Sequence, residues 1–286
     1  MSVAGDTLRI TLPRRRPTFA AAAGTFLVLV FAAAAVASPL LHHLAYDIDL
    51  IDRLKPPGTP GHLLGTDSLG RDVLARIATG VRISLVVSLA AVTIAMVTGV
   101  VVGTTSGFFG GWVDDVIMRI TDAVLVIPIV LLAIAVLTVL GPSIVNLIGV
   151  IAFIQWTAYA RTTRAETLAL REQLYVTAAK SFGARPLLLL LRHILPHLAP
   201  SVIVLTTLNL SAAIILEASI SFLGLGIPPP NPSLGSMLTD AEQYLGTASW
   251  LAVYPGLALL LLVLGVNLLG DALRQRLDPT LRSRGG

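Results

Sequence analysis

Six long apolar runs dominate this chain, over residues 19–37, 84–102, 121–140, 144–160, 199–219 and 251–269. At 1.5 Å of rise per residue, a helix through each run covers roughly the 30 Å hydrocarbon core of a bilayer. Inside lipid the backbone must satisfy its own hydrogen bonds, so runs of this length specify helices or a closed barrel. The apolar–polar alternation of barrel strands is absent, which leaves an all-α polytopic membrane protein with six transmembrane helices. Charged residues fill 13% of the 286 positions, about half the roughly 25% of a soluble domain.

The remaining charges sit mostly at the ends of the runs, so a net charge of +4 reports membrane orientation rather than nucleic-acid binding. With the N-terminus inside, only Arg53, Lys55, Arg71, Arg76 and Arg82 fall outside, against fifteen of the 20 lysines and arginines on the cytoplasmic side. Both tails, 1–18 and 271–286, are then cytoplasmic. Arg14-Arg15-Arg16, the apolar run and Ala35-Val36-Ala37 mimic a signal peptide with its cleavage site. The run 19–37 exceeds the usual core of about 7–15 residues in such a peptide, which favours a retained first helix. The chain has no cysteine, so disulfides and cysteine-ligated metals are excluded.

One polar interruption, 165–196, falls on the cytoplasmic side. Residues 175–182 read as a short helix across that face, with Ala178 and Ala179 leaving a shallow surface that another protein can approach. Gly183 ends it, since glycine adopts the left-handed conformation without steric cost. Pro186 suits the first turn of a new helix. Ala178, Ala179, Gly183, Leu195 and Pro196 match in register the coupling motif of permease subunits of ATP-binding-cassette (ABC) importers, which this stretch resembles. Thr177 stands where a glutamate is usual and His193 where an isoleucine is usual, so the salt bridge that glutamate would make to an ATPase has no support here. The resemblance implies ATPase docking by Tyr175, Ala178, Ala179, Gly183 and Arg185, within a coupling loop at about 161–197.

Four further stretches carry the likeness. The external segment 38–83 holds a turn-rich linker, Pro56 to Gly61, and then Leu64-Gly65-Thr66-Asp67-Ser68-Leu69-Gly70-Arg71-Asp72-Val73-Leu74. This stretch resembles a signature of the C-type subunit in the dipeptide/oligopeptide/nickel branch. Asp67 is placed to cap an interfacial helix there. Either that helix lies at the translocation mouth, with Asp67, Arg71 and Asp72 contacting pathway or partner, or it only orders the loop. Residues 107–114, 221–235 and 270–279 also resemble the branch. Pro128 is expected to kink the third span. Glu217 is the one acid well inside an apolar run, where charge costs at least about 2.5 kcal/mol. It sits near the outer end of its span, and a pathway or partner contact and a structural pairing both remain open.

Neither lysine, Lys55 nor Lys180, follows a glycine, so the chain holds no phosphate-binding P-loop. His193 and His197 flank Pro196 without a third ligand, and His42-His43 are too few for a metal site. A secondary transporter or channel would carry ionisable groups in several spans, and only Glu217 and Asp122 qualify. An intramembrane enzyme would need a mid-depth nucleophile–base or two-acid pair, and none is present. The resemblance implies a type I ABC importer permease fold, with a core over 84–270. It also implies a non-enzymatic importer subunit in a bacterial cytoplasmic membrane. Its partners would be a homologous second permease, two ATPases holding ATP and Mg, and an external binding protein. Peptides are the leading cargo, and nickel chelates or other small solutes are the alternatives.

Overall fold

The computed structural model of the chain describes residues 19–277. The arginines of tail 1–18, and Asp278-Pro279, Arg282 and Arg284, lie outside the described residues. Every named element is helical: α1 (Phe19–Ala37), α2 (His42–Tyr46), α3 (Val73–Phe109), α4 (Gly111–Val126), α5 (Ile129–Leu140), α6 (Ile144–Arg171), α7 (Leu174–Ser181), α8 (Pro186–Leu189), α9 (Leu195–Phe222), α10 (Leu234–Ala241) and α11 (Trp250–Leu277). Among the described residues, five helices are long and apolar enough to cross a membrane, with α8 and α9 forming one of them. The pair α4–α5 is apolar enough to be a sixth candidate span, broken by a bend of 88°.

Several boundaries differ from the sequence expectation, each for a local reason. The second span starts at Val73, because Asp72 caps α3 by accepting from Ala75 N. Asp67 caps no helix. Its carboxylate instead closes a turn by accepting from the backbone N–H of Leu69 (2.8 Å) and Arg71 (3.0 Å). The short helix of segment 38–83 is α2, upstream of that signature. Pro128 does more than kink the third span. It takes an extended ψ of 123° and serves as N-cap of α5, so the ladder is interrupted completely. The fourth helix continues past Ala160 to Arg171.

Two helix pairs organise the bundle. The most extensive interface joins α3 to α6. Gly99, Gly103 and Gly107 form a stripe along it at four-residue spacing. A Cβ on Gly103 would lie 2.2 Å from Ala160 O, and one on Gly99 would lie 2.4 Å from Trp156 O. Such close backbone approach is how membrane helices gain dispersion contact, since lipid offers no hydrophobic drive between them. The second pair is α1 with α11, where Gly24 abuts Leu268 and Gly265 abuts Leu27. Helix α9 contributes to both apolar clusters, through Ala213 and Ile220 on one side and Ile214 on the other. Outward-facing Phe26, Leu29, Val86, Leu89 and Val97 stay exposed, as a lipid-facing belt requires.

Candidate functional site

At one end of the bundle, α7 lies in the connection between α6 and α8. Gln173 is its N-cap. At its far end Ala184 N donates to Ala179 O and Gly183 N to Lys180 O, a Schellman closure with Gly183 at φ 79°. Pro186 opens α8 as its sequence position implies. The coupling candidates divide by exposure. Ala178 and Arg185 face solvent, and Ala179 is half-buried. Tyr175 is also exposed, at 41%, and its ring stacks on that of His197 in α9 at 5.7 Å and 27°. Two residues that the motif does not include dominate the outer face: Leu174 is 87% and Phe182 91% exposed. They stand four residues either side of Ala178, so the three form one apolar stripe. That i, i+4, i+8 spacing in a short polar-flanked helix was the available sequence signal.

The stripe is backed by a cavity of about 640 Å³, lined by Phe108, Phe109, Arg171, Lys180, Pro186 and Leu189 among others. Polar ties hold its rim. Arg171 Nη1 donates to Gly107 O (2.9 Å), and Arg164 forks onto Asp114, with Nη2 at 2.6 Å. Ser106 also donates to Asp114. Gly110 and Gly111, at the break between α3 and α4, therefore sit beside the docking candidate, with Trp112 exposed.

The opposite end brings Asp67 and Arg71 together, with Arg76 as a third member. Arg71 Nε donates to Asp67 at 2.8 Å, and Arg76 Nη1 donates to the same oxygen. Arg76 Nη2 approaches Asp240 at 3.6 Å. Burial opposes charge on Asp67, but the Arg76 and Arg71 guanidiniums outweigh it and hold the carboxyl below its usual range. Burial pushes the Asp240 carboxyl up, against the same two arginines. Asp72 belongs to a neighbouring set, in which His62 bridges it (3.0 Å) to Asp52 (3.3 Å). A cavity of about 470 Å³ opens beside the cluster, lined by Arg71, Arg76, Asn231, Asp240 and Gln243 and walled by Pro228 to Pro230.

Glu217 joins neither group. It is fully buried and accepts from Ser84 Oγ (2.6 Å) and Ser221 Oγ (2.7 Å). Of the two readings left open by the sequence, these bonds to α3 and to its own helix are a structural pairing. At mid-span a different polar pair appears. Gln155 Nε2 donates to Asn209 O (3.0 Å), while Gln155 Oε1 and Asn209 Nδ2 are left without partners. Both residues line a groove of about 510 Å³ between α5, α6 and α9. A search for charged residues overlooks these neutral amides.

Residues 99–283 match the family model described as "Binding-protein-dependent transport system inner membrane component". The chain is 41% identical over 268 residues to the glutathione transport system permease protein GsiD of Pectobacterium atrosepticum, covering 94% of this chain and 89% of that one. It is 39% identical over 261 residues to the dipeptide transport system permease protein DppC of Alkalihalophilus pseudofirmus, covering 91% and 86%. A di/tripeptide permease DppC of Pseudomonas aeruginosa is 42% identical over 235 residues, covering 80% and 78%. Among solved structures, a chain of the inward-facing MetNI methionine ABC transporter aligns with TM-score 0.57 at 18% identity, over 71% of this chain and 96% of that one. That likeness concerns the fold: the described spans have the architecture of an ABC importer permease. The chain belongs to the family of inner-membrane components of binding-protein-dependent transport systems, and is the permease component of such an ABC importer.

Proposed function

We propose that this chain forms half of the translocation pathway of an ATP-driven importer of di- or oligopeptide-type solutes, and takes its drive from ATPase subunits through α7. The observation that carries the reading is the Leu174–Ala178–Phe182 stripe, an apolar surface on a short helix outside the spans. Left bare in water it is a liability, and a shallow apolar stripe suits the groove of a partner protein. Energy comes from elsewhere, since Lys55 and Lys180 lack the phosphate-binding context. ATP and Mg belong to two separate ATPase subunits. A homologous second permease supplies the other half of the path, and a binding protein delivers solute at the opposite end.

The peptide assignment rests on relatives named for dipeptide, di/tripeptide and glutathione transport. All three name solutes with peptide bonds and a free carboxylate, a class that the Arg71–Arg76–Asp240 mouth complements in charge. The membrane is the bacterial cytoplasmic membrane, with α7 and both termini inside. Coexpression with a second permease, the ATPases and a binding protein, followed by reconstitution, tests the reading. Uptake of radiolabelled dialanine should require ATP and the binding protein together. Gradient-driven uptake by this chain alone would replace it with a secondary transporter.

A further inference from the structure

We infer that the Tyr175–His197 ring stack is a strut that carries displacement of α7 directly into α9, which makes His197 a positioning residue for transport. The inference rests on the proposed coupling role of α7.

The backbone route between the two helices is poorly suited to transmit force. From α7 it passes the left-handed turn at Gly183, at φ 79°. It then enters α8 and widens into a π turn over Leu190–Ile194. The π turn has a local cause: Pro196 has no N–H to offer, and its ring would clash with the carbonyl four residues earlier. Both places interrupt the regular helical ladder, so a push along the chain would be taken up there as a change of dihedral angles. A cavity of about 640 Å³ lies beside α7, and of the helix's own residues only Val176 is buried.

The side-chain route bypasses both interruptions. Tyr175 lies in the first turn of α7, and His197 lies in the first turn of α9, beyond Gly183 and beyond the π turn. Their rings meet nearly parallel, at 5.7 Å and 27°. The imidazole is itself held in place, with its Nδ1–H donating to His193 O at 2.7 Å. A ring anchored to its own helix and stacked on a neighbour moves with both. From His197, α9 runs to Asn209 and on to Ile215, Leu216 and Ser219, which line the mid-span groove. The strut therefore joins the surface proposed to receive the ATPase with the mid-span groove between α5, α6 and α9.

The test uses the complete complex, with ATPases and binding protein, in proteoliposomes. It reads ATP hydrolysed per dialanine taken up. His197→Ala is expected to raise that ratio several-fold while the ATPases still co-purify. His197→Phe, which keeps the ring and loses the hydrogen bond, is expected to restore most of the coupling. Tyr175→Ala combined with His197→Ala should raise the ratio no further than His197→Ala alone. A wild-type ratio in His197→Ala, or a raised ratio that His197→Phe leaves unchanged, would overturn the strut while leaving the importer reading intact. Wild-type uptake that needs no ATP would instead remove the importer reading, and the strut with it.

Discussion

A carboxylate within an apolar span is informative through what surrounds it. Glu217 is enclosed by the hydroxyls of Ser84 and Ser221, which come from α3 and from its own helix. Two donors aimed at one buried carboxyl make a satisfied polar cluster, which is the arrangement that such burial demands. Glu217→Gln should therefore retain uptake, because the amide oxygen still accepts. Glu217→Ala should lower the thermal midpoint of the purified complex, by leaving two buried hydroxyls unpaired at about 1–3 kcal/mol each. Loss of uptake in a stably folded Glu217→Gln variant would instead make it a pathway residue. Asp67 works differently. Its carboxyl is depressed in the folded chain, so its ion pairs contribute fully above the unfolded value and fade as pH falls through the folded one. Protease cutting in the external loop should rise only below about pH 4, and Asp67→Asn should bring it on at neutral pH. On α7, Ala178→Glu should abolish ATPase co-purification with membrane insertion unchanged, and Phe182→Ala should weaken it.

The elements are held by close approach more than by side-chain bulk. Along α3, three glycines let the carbonyls and small side chains of α6 come into contact. The atom facing Gly103 is a backbone oxygen, which cannot swing away. Gly103→Leu should cost more than the about 1–3 kcal/mol usual for overpacking, seen as loss of the folded monomer on size-exclusion chromatography in detergent. Gly149, with nothing near its Cβ position, serves as the control: Gly149→Ala should be neutral. The spacing of 99, 103 and 107 is visible in the sequence. Which helix meets that stripe is not, because small residues allow approach without specifying a partner.

For the molecule as a whole, the two ends differ in kind. One carries α7, the Asp114–Arg164 fork and Arg171; the other carries the Asp67–Arg71–Arg76–Asp240 cluster and the proline wall. The absence of native cysteine makes the orientation simple to test. A membrane-impermeant thiol reagent should label Gln243→Cys in intact cells, and Ser181→Cys only after permeabilisation. The reverse pattern would invert the assignment of ends and remove α7 from the cytoplasm.

What was legible without coordinates was local or periodic. Hydropathy marked the spans because an unpaired backbone is intolerable in lipid. Gly183 and Pro186 marked the turn after α7 because each residue restricts its own dihedral angles. The family likeness also rests on contiguous words such as 64–74. The pairings across the bundle were decided only by tertiary structure. Ser84 and Glu217 stand 133 positions apart, and Gln155 and Asn209 stand 54 apart. The family likeness implies ATPase docking for Tyr175, and the path of the chain through Gly183 and the π turn also brings His197 alongside its ring. A polar side chain's role depends on what packing brings within about 3 Å, and no local rule of the chain contains that distance.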